Sequence, residues 1–197
     1  AAFSADDRRL CPFCRTPEGT SDGEAIERLK KRAEVDDAEA MYNLGCYYRD
    51  MEMGLPQDHE KAMELWLRSG ELENAASYFN IADAYRVGNG VERDMEKAKH
   101  YYELGAMRGD ANARHNLGVI EGNAGNIDRA MKHWMIAAGA GYDKSLEAIR
   151  RFFMHGHATK DDFEKALRAH KETSDEMRSD QREAAAAFAA ARGDARY

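Results

Sequence analysis

Apolar side chains along this chain recur at three- and four-residue intervals, in blocks broken by short polar or glycine-bearing connections. That spacing is the period of an amphipathic helix, not the two-residue alternation of a half-buried strand. Ala40, Leu44 and Tyr48 stand above one another at intervals of four, which predicts one apolar stripe. Further on, Ala62, Leu65, Trp66 and Ser69 form a facing stripe, so the two segments read as a helical hairpin. Asp58 and Asp94 precede helices of this kind, where a carboxylate accepts hydrogen bonds from the free amides of the first turn. Ser21-Asp-Gly-Glu24 has the spacing of a capping box and predicts a helix running through Ala33.

The hairpin recurs. Met-Tyr-Asn-Leu-Gly-Cys-Tyr-Tyr at 41–48 returns as Tyr-Phe-Asn-Ile-Ala-Asp-Ala-Tyr at 78–85 and as Arg-His-Asn-Leu-Gly-Val-Ile-Glu at 114–121. Asn43, Asn80 and Asn116 are therefore 37 and 36 residues apart. The second elements keep step: Asp58-His-Glu-Lys-Ala62, Asp94-Met-Glu-Lys-Ala98 and, more loosely, Gly125-Asn-Ile-Asp-Arg-Ala130 place Trp66, Tyr102 and Trp134 at one register. A fainter fourth copy has Ile149 and Phe153 in its first element and Lys165-Ala166 in its second. Gly54, Gly88 and Gly90 punctuate the turns. Copies one and three hold Gly45 and Gly118 where copy two holds Ala82, so Gly45 is expected to accept a methyl group.

A single amphipathic hairpin cannot bury its own apolar face, whereas a stack of them can. The expected fold class is all-α, an α-solenoid of stacked hairpins ending in a long C-terminal helix. Leu44, Tyr48, Trp66, Ile81, Tyr85, Tyr102, Leu117 and Trp134 form its expected core. The division that follows is an extended segment at 1–20, a capping helix at 21–36, repeats at 37–158, and a capping helix and tail at 159–197. On the last helix Phe163, Leu167, His170, Met177 and Phe188 are expected to share the packed stripe.

The order Leu-Gly-x-x-Tyr, Gly-x-Gly-Val-x-x-Asp-x-x-Lys-Ala, then an aromatic residue and Ala-Ala-x-x-Gly resembles the Sel1-like repeat, a relative of the tetratricopeptide repeat. Copy two holds it almost whole, in Ile81, Ala82, Tyr85, Gly88, Gly90, Val91, Asp94, Lys97, Ala98, Tyr102 and Gly109. Copy three keeps Leu117, Gly118, Trp134, Ala137, Ala138 and Gly141, but Glu121 replaces the tyrosine and the Gly-x-Gly-Val turn is gone. The resemblance implies an interaction scaffold that presents a curved surface to proteins and has no catalytic residues to carry over.

Composition narrows the partner. With 36 acidic against 29 basic residues, the net charge of −7 argues against nucleic acid, which needs a basic surface, and favours basic or mixed protein partners. No apolar run is long enough to span a membrane. Three cysteines are no disulfide framework and point to a reducing compartment, the cytoplasm or an organelle interior. The chain opens without methionine, so a processed or truncated product is expected. Cys11-Pro-Phe-Cys14 resembles the closing Cys-Pro-x-Cys of a RING-type zinc domain, as in diatom-type proteins that join a RING to Sel1-like repeats. A structural zinc takes four ligands, and residues 1–10 hold neither Cys nor His. Zinc at Cys11 and Cys14 thus requires ligands from outside this chain, and no other cofactor is expected.

Cys46 reads as packing, His155-Gly-His157 as a solvated turn, and Gly88-Asn-Gly90 as a repeat turn without the strand that a dinucleotide fingerprint needs. The aligned asparagines each precede an apolar residue of the core stripe, about 100° round the helix from it. Two readings stand side by side. Either they form a ladder of amides facing a partner, as asparagines on the first helices of tetratricopeptide relatives do, or each satisfies a neighbouring repeat. The expected groove comprises Asn43, Tyr47, Asn80, Asp83, Asn116 and Ile120. The expected function is a non-catalytic scaffold for protein interaction or complex assembly. The alternative is the substrate-recruiting arm of a RING-type ubiquitin ligase whose zinc half lies upstream.

Overall fold

The computed structural model describes residues 21–193, with side chains through residue 180. Residues 1–20, and with them Cys11 and Cys14, lie outside the described residues, as does the side chain of Phe188. The described residues form an all-α fold in two compact units that meet in sequence at Arg108 and Gly109.

Unit one contains α1 (Asp22–Glu34), α2 (Ala38–Asp50), α3 (His59–Glu71), α4 (Ala75–Val87) and α5 (Met95–Met107). Unit two contains α6 (Ala111–Asn123), α7 (Ile127–Gly139), α8 (Asp143–Met154) and α9 (Lys160–Gly193). Within each unit, helices pack on their neighbours in the chain, with α9 also reaching α7, and this is the nearest-neighbour logic of a solenoid. None of these helices is long and apolar enough to cross a membrane.

The helix starts follow from short polar side chains. Ser21, Asp37, Asp58, Asn74, Asp94 and Asp110 each accept a hydrogen bond from the backbone amide three residues on. At the start of α9, Thr159 and Asp162 exchange side-chain and backbone bonds, a reciprocal capping box. Turns are set where only glycine fits: Gly88 closes α4 at φ 80°, and Gly90, at φ 73°, lies against His59.

The cores are built by the repeated stripe. In unit one Ile26, Leu29, Met41, Leu44, Tyr48, Trp66 and Ile81 are buried together, and in unit two Met131, Trp134, Ala148 and Ile149 are. Tyr102, Trp66, Leu117 and Trp134 are all 3% exposed or less. Tyr85 is only half-buried: its ring stacks at 5.8 Å on Tyr101, along the edge of the core rather than inside it. The stripe on α9 also differs from the pattern-based expectation. Ala166 is its buried member, Phe163 stacks at 5.4 Å on Phe153, and Thr173 donates to the Gly139 carbonyl at 2.7 Å. Leu167 and Met177 remain 45% exposed, although the end of the Met177 side chain lies against Gly141.

Candidate partner-binding face

The geometry of the first helices begins at the contact that locks each hairpin. In α2, Gly45 faces Trp66 of α3, and a Cβ placed there would lie 2.7 Å from Trp66 Cδ1. Gly118 of α6 faces Trp134 of α7 in the same way, at 2.6 Å. Each indole N–H then donates to a backbone carbonyl of the first helix, Trp66 to Tyr42 at 3.3 Å and Trp134 to His115 at 3.2 Å. In copy two the same two positions hold Ala82 and the smaller ring of Tyr102, both fully buried. The expectation that Gly45 accepts a methyl group is therefore wrong. Glycine goes with tryptophan and alanine with tyrosine, so the two positions vary as a pair.

A second pair works alike. Lys61 lies over the Tyr48 ring at 4.7 Å, and Lys97 over Tyr85 at 5.2 Å. In copy three the tyrosine becomes Glu121 and the lysine Arg129, and the two form an ion pair at 3.9 Å. Asn126 also donates to Glu121, at 2.8 Å. The apparent loss of the tyrosine in copy three is thus an exchange of a cation–ring contact for a charge pair.

With the hairpins fixed, the three asparagines are not equivalent. Asn80 is 7% exposed and donates to Cys46 Sγ at 3.4 Å, linking α4 to α2. For Asn80 the ladder reading gives way to the other one: the amide is buried and bonds to Cys46 in the neighbouring repeat. Asn43 on α2 and Asn116 on α6 are half-buried, and their side chains make no hydrogen bond among the described residues. Tyr47, one turn beyond Asn43, and Ile120, one turn beyond Asn116, are also half-buried. Asp83 is held internally, paired with Arg86 and accepting from the Tyr102 hydroxyl at 3.3 Å.

Cys46 has no nucleophile's environment. Burial pushes its thiol up, outweighing the opposing pull of the Arg49 charge and of hydrogen bonds from Tyr42, Trp66 and Asn80. His115, between Trp134, Tyr142 and Ser145 Oγ (2.9 Å), is lowered by burial and then by the charges of Lys144 and Arg151. His155 and His157 are exposed in the turn after α8, and His155 Nδ1 lies 2.7 Å from the Arg151 carbonyl. Among the described residues no three His, Cys, Asp or Glu side chains are grouped to hold a metal.

Pattern reading missed the register six residues after each asparagine. It holds Arg49, Arg86 and Gly122. Arg49 covers Trp66 at 5.4 Å, and Arg86 Nε lies 3.2 Å from the Tyr102 hydroxyl oxygen. In copy three glycine supplies no such cation, and the equivalent ring, Trp134, packs against Phe152 instead. The aligned column Arg, Arg, Gly was the available signal.

The repeat geometry now has its counterpart among known proteins. The sequence model of the Sel1 repeat matches residues 38–74 and 75–110. These two stretches match the Sel1 repeat. A Sel1 repeat protein of Oxalobacter formigenes is 27% identical in a solved structure, with a TM-score of 0.68 over 77% of this chain and 64% of that one. The protective antigen c5321 of uropathogenic Escherichia coli shares the fold, at 24% identity and a TM-score of 0.66 over 77% of this chain and 33% of that one. Among curated sequences, the Arabidopsis thaliana ERAD-associated E3 ubiquitin-protein ligase component HRD3B is 31% identical over 111 residues, 56% of this chain. The match spans 17% of HRD3B's length, so the chain corresponds to a small part of that protein. The two matched Sel1 repeats are the hairpins α2–α3 and α4–α5. The pair α6–α7, beyond the matched segment, keeps the glycine–indole contact and the indole-to-carbonyl bond.

Proposed function

We propose that this chain is a non-catalytic scaffold whose first helices bind a protein partner, with Asn43 and Tyr47 acting in unit one and Asn116 and Ile120 in unit two. The observation that carries this reading is the contrast among the asparagines. Asn80 is used up inside the repeats, whereas the half-buried side chains of Asn43 and Asn116 make no hydrogen bond among the described residues. A primary amide offers both a donor and an acceptor, which matches an extended peptide backbone. Asn80 and Asp83 serve in this reading as positioning residues, holding α2, α4 and α5 in place. The role needs no cofactor, and the partner is a subunit or assembly client that presents extended backbone.

The test is co-purification from the native source, followed by binding measurements with the partner so found. Replacing Asn43 and Asn116 by Ala should leave folding within about 0.5 kcal/mol per site. Affinity should fall by roughly 0.5–1.5 kcal/mol per lost hydrogen bond. Unchanged affinity in the double variant would move the binding face elsewhere. The ligase-arm reading draws support from Cys11-Pro-Phe-Cys14 and from the likeness to part of HRD3B. An intact mass of the native protein, with zinc analysis, separates the two: further Cys and His upstream with bound zinc support the ligase arm.

A further inference from the structure

Unit two contains a cavity of about 510 Å³ opening beside α6, α7 and α8. Its existence follows from the register described above. Where copies one and two place Arg49 and Arg86 against the ring of the second helix, copy three has Gly122, whose absent Cβ would lie 3.3 Å from Trp134 Cη2. The floor is apolar, made by exposed Val119 and half-buried Phe152, which stands edge-on to the buried indole of Trp134 at a centroid distance of 4.6 Å. The rim is polar. Arg151 is exposed and makes no ion pair among the described residues, and His157 packs its ring 5.7 Å from Phe152 while His155 lies beside it in the lining.

We propose that this cavity receives a partner segment that places an aliphatic or aromatic side chain on Phe152 and Val119 and an adjacent carboxylate on Arg151. A planar cation, the group that copies one and two supply from their own chain, would approach an unpaired guanidinium here and be repelled. An apolar group fills the space beside Phe152 and Val119, and a carboxylate meets Arg151 in the paired geometry that a guanidinium favours. The histidine ring nitrogens add hydrogen-bonding groups at the same edge. The volume falls in the range of pockets that bury one compact group. Thus a chain of net charge −7 has a local site for an acidic segment, set by one cation and a missing side chain rather than by its overall charge. The inference deepens the scaffold reading and rests on it.

The probes are fluorescent, end-blocked peptides with a Phe-Asp-Glu centre in Gly/Ser flanks, a charge-reversed Phe-Lys-Lys version and an Ala-Asp-Glu version. Binding to the full chain is read by polarisation. The Phe-Asp-Glu peptide should bind roughly tenfold or more tightly than either control, as expected when a paired charge and a filled apolar site are both required. Arg151→Glu, at an exposed site, should abolish that preference. Gly122→Arg should close the cavity with an internal guanidinium, as in copies one and two, provided its melting curve matches the parent's. Equal binding of the charge-reversed peptide, an affinity unmoved by Arg151→Glu, or no binding at millimolar peptide would each overturn the proposal. A native partner whose capture depends on Asn43 and Asn116 but not on Arg151 would leave the scaffold reading standing and remove this one.

Discussion

Gly45 has no room for a methyl group because the indole of Trp66 lies where its Cβ would be. Gly45→Ala should therefore destabilise the protein by roughly 1–3 kcal/mol, the cost of overpacking a rigid neighbour, despite the better helix propensity of alanine. Combining it with Trp66→Tyr recreates the pairing of Ala82 with Tyr102, and the double variant should be more stable than the sum of the single effects implies. Urea melts of the four proteins measure this coupling; strict additivity, or a stabilised Gly45→Ala, would refute it. His115 makes a pH-dependent contribution. Its imidazole is held below the ordinary value of 6.5, so the unfolded chain takes up the proton more readily. The stability it contributes is complete above that value and is lost as pH falls towards the folded value. His115→Gln should flatten the decline in melting temperature between neutral pH and about pH 5 relative to the parent. Parallel curves for the two proteins would show that the ring does not titrate on unfolding.

At the scale of the helix, much was legible before any coordinates. Asp58 and Asp94 do cap α3 and α5, and Ser21 accepts from the Glu24 amide at 3.3 Å. These are local features: a cap depends on residues three apart, and a stripe on residues three or four apart. Less legible was what happens when a repeat position changes type. Glu121 looked like a lost tyrosine, and only the approach of α7 to α6 brings Arg129 within reach of it. On α9 the apolar period was right, and the face was right at Phe163 and His170 but not at Leu167. Phe163 and Ala166 meet the neighbouring helices while Leu167 faces outward, because the rotation of a terminal helix is decided by the surface it docks on.

At the scale of the whole molecule, each unit is a short stack whose stability sums helix and interface contributions. Truncating Trp66 or Trp134 to Ala should cost roughly 3–5 kcal/mol, since each also removes an indole bond to a backbone carbonyl. Hydrogen exchange should show the loss from Trp66→Ala greatest in α2 and α3, and that from Trp134→Ala greatest in α6 and α7. Protection unchanged in those hairpins would mean that the tryptophans are not their locks. Sequence alone determined the all-helical class, the hairpin period, the helix starts and most of the core, since each is written in spacings within one helix or between identical copies. Three matters were decided only by tertiary structure: the burial of Asn80 while Asn43 and Asn116 stay half-exposed, the exclusion of a methyl at Gly45, and the cavity beside Gly122. Each depends on how closely a side chain from another helix approaches, and periodicity carries the direction of a residue but not the distance to its neighbour.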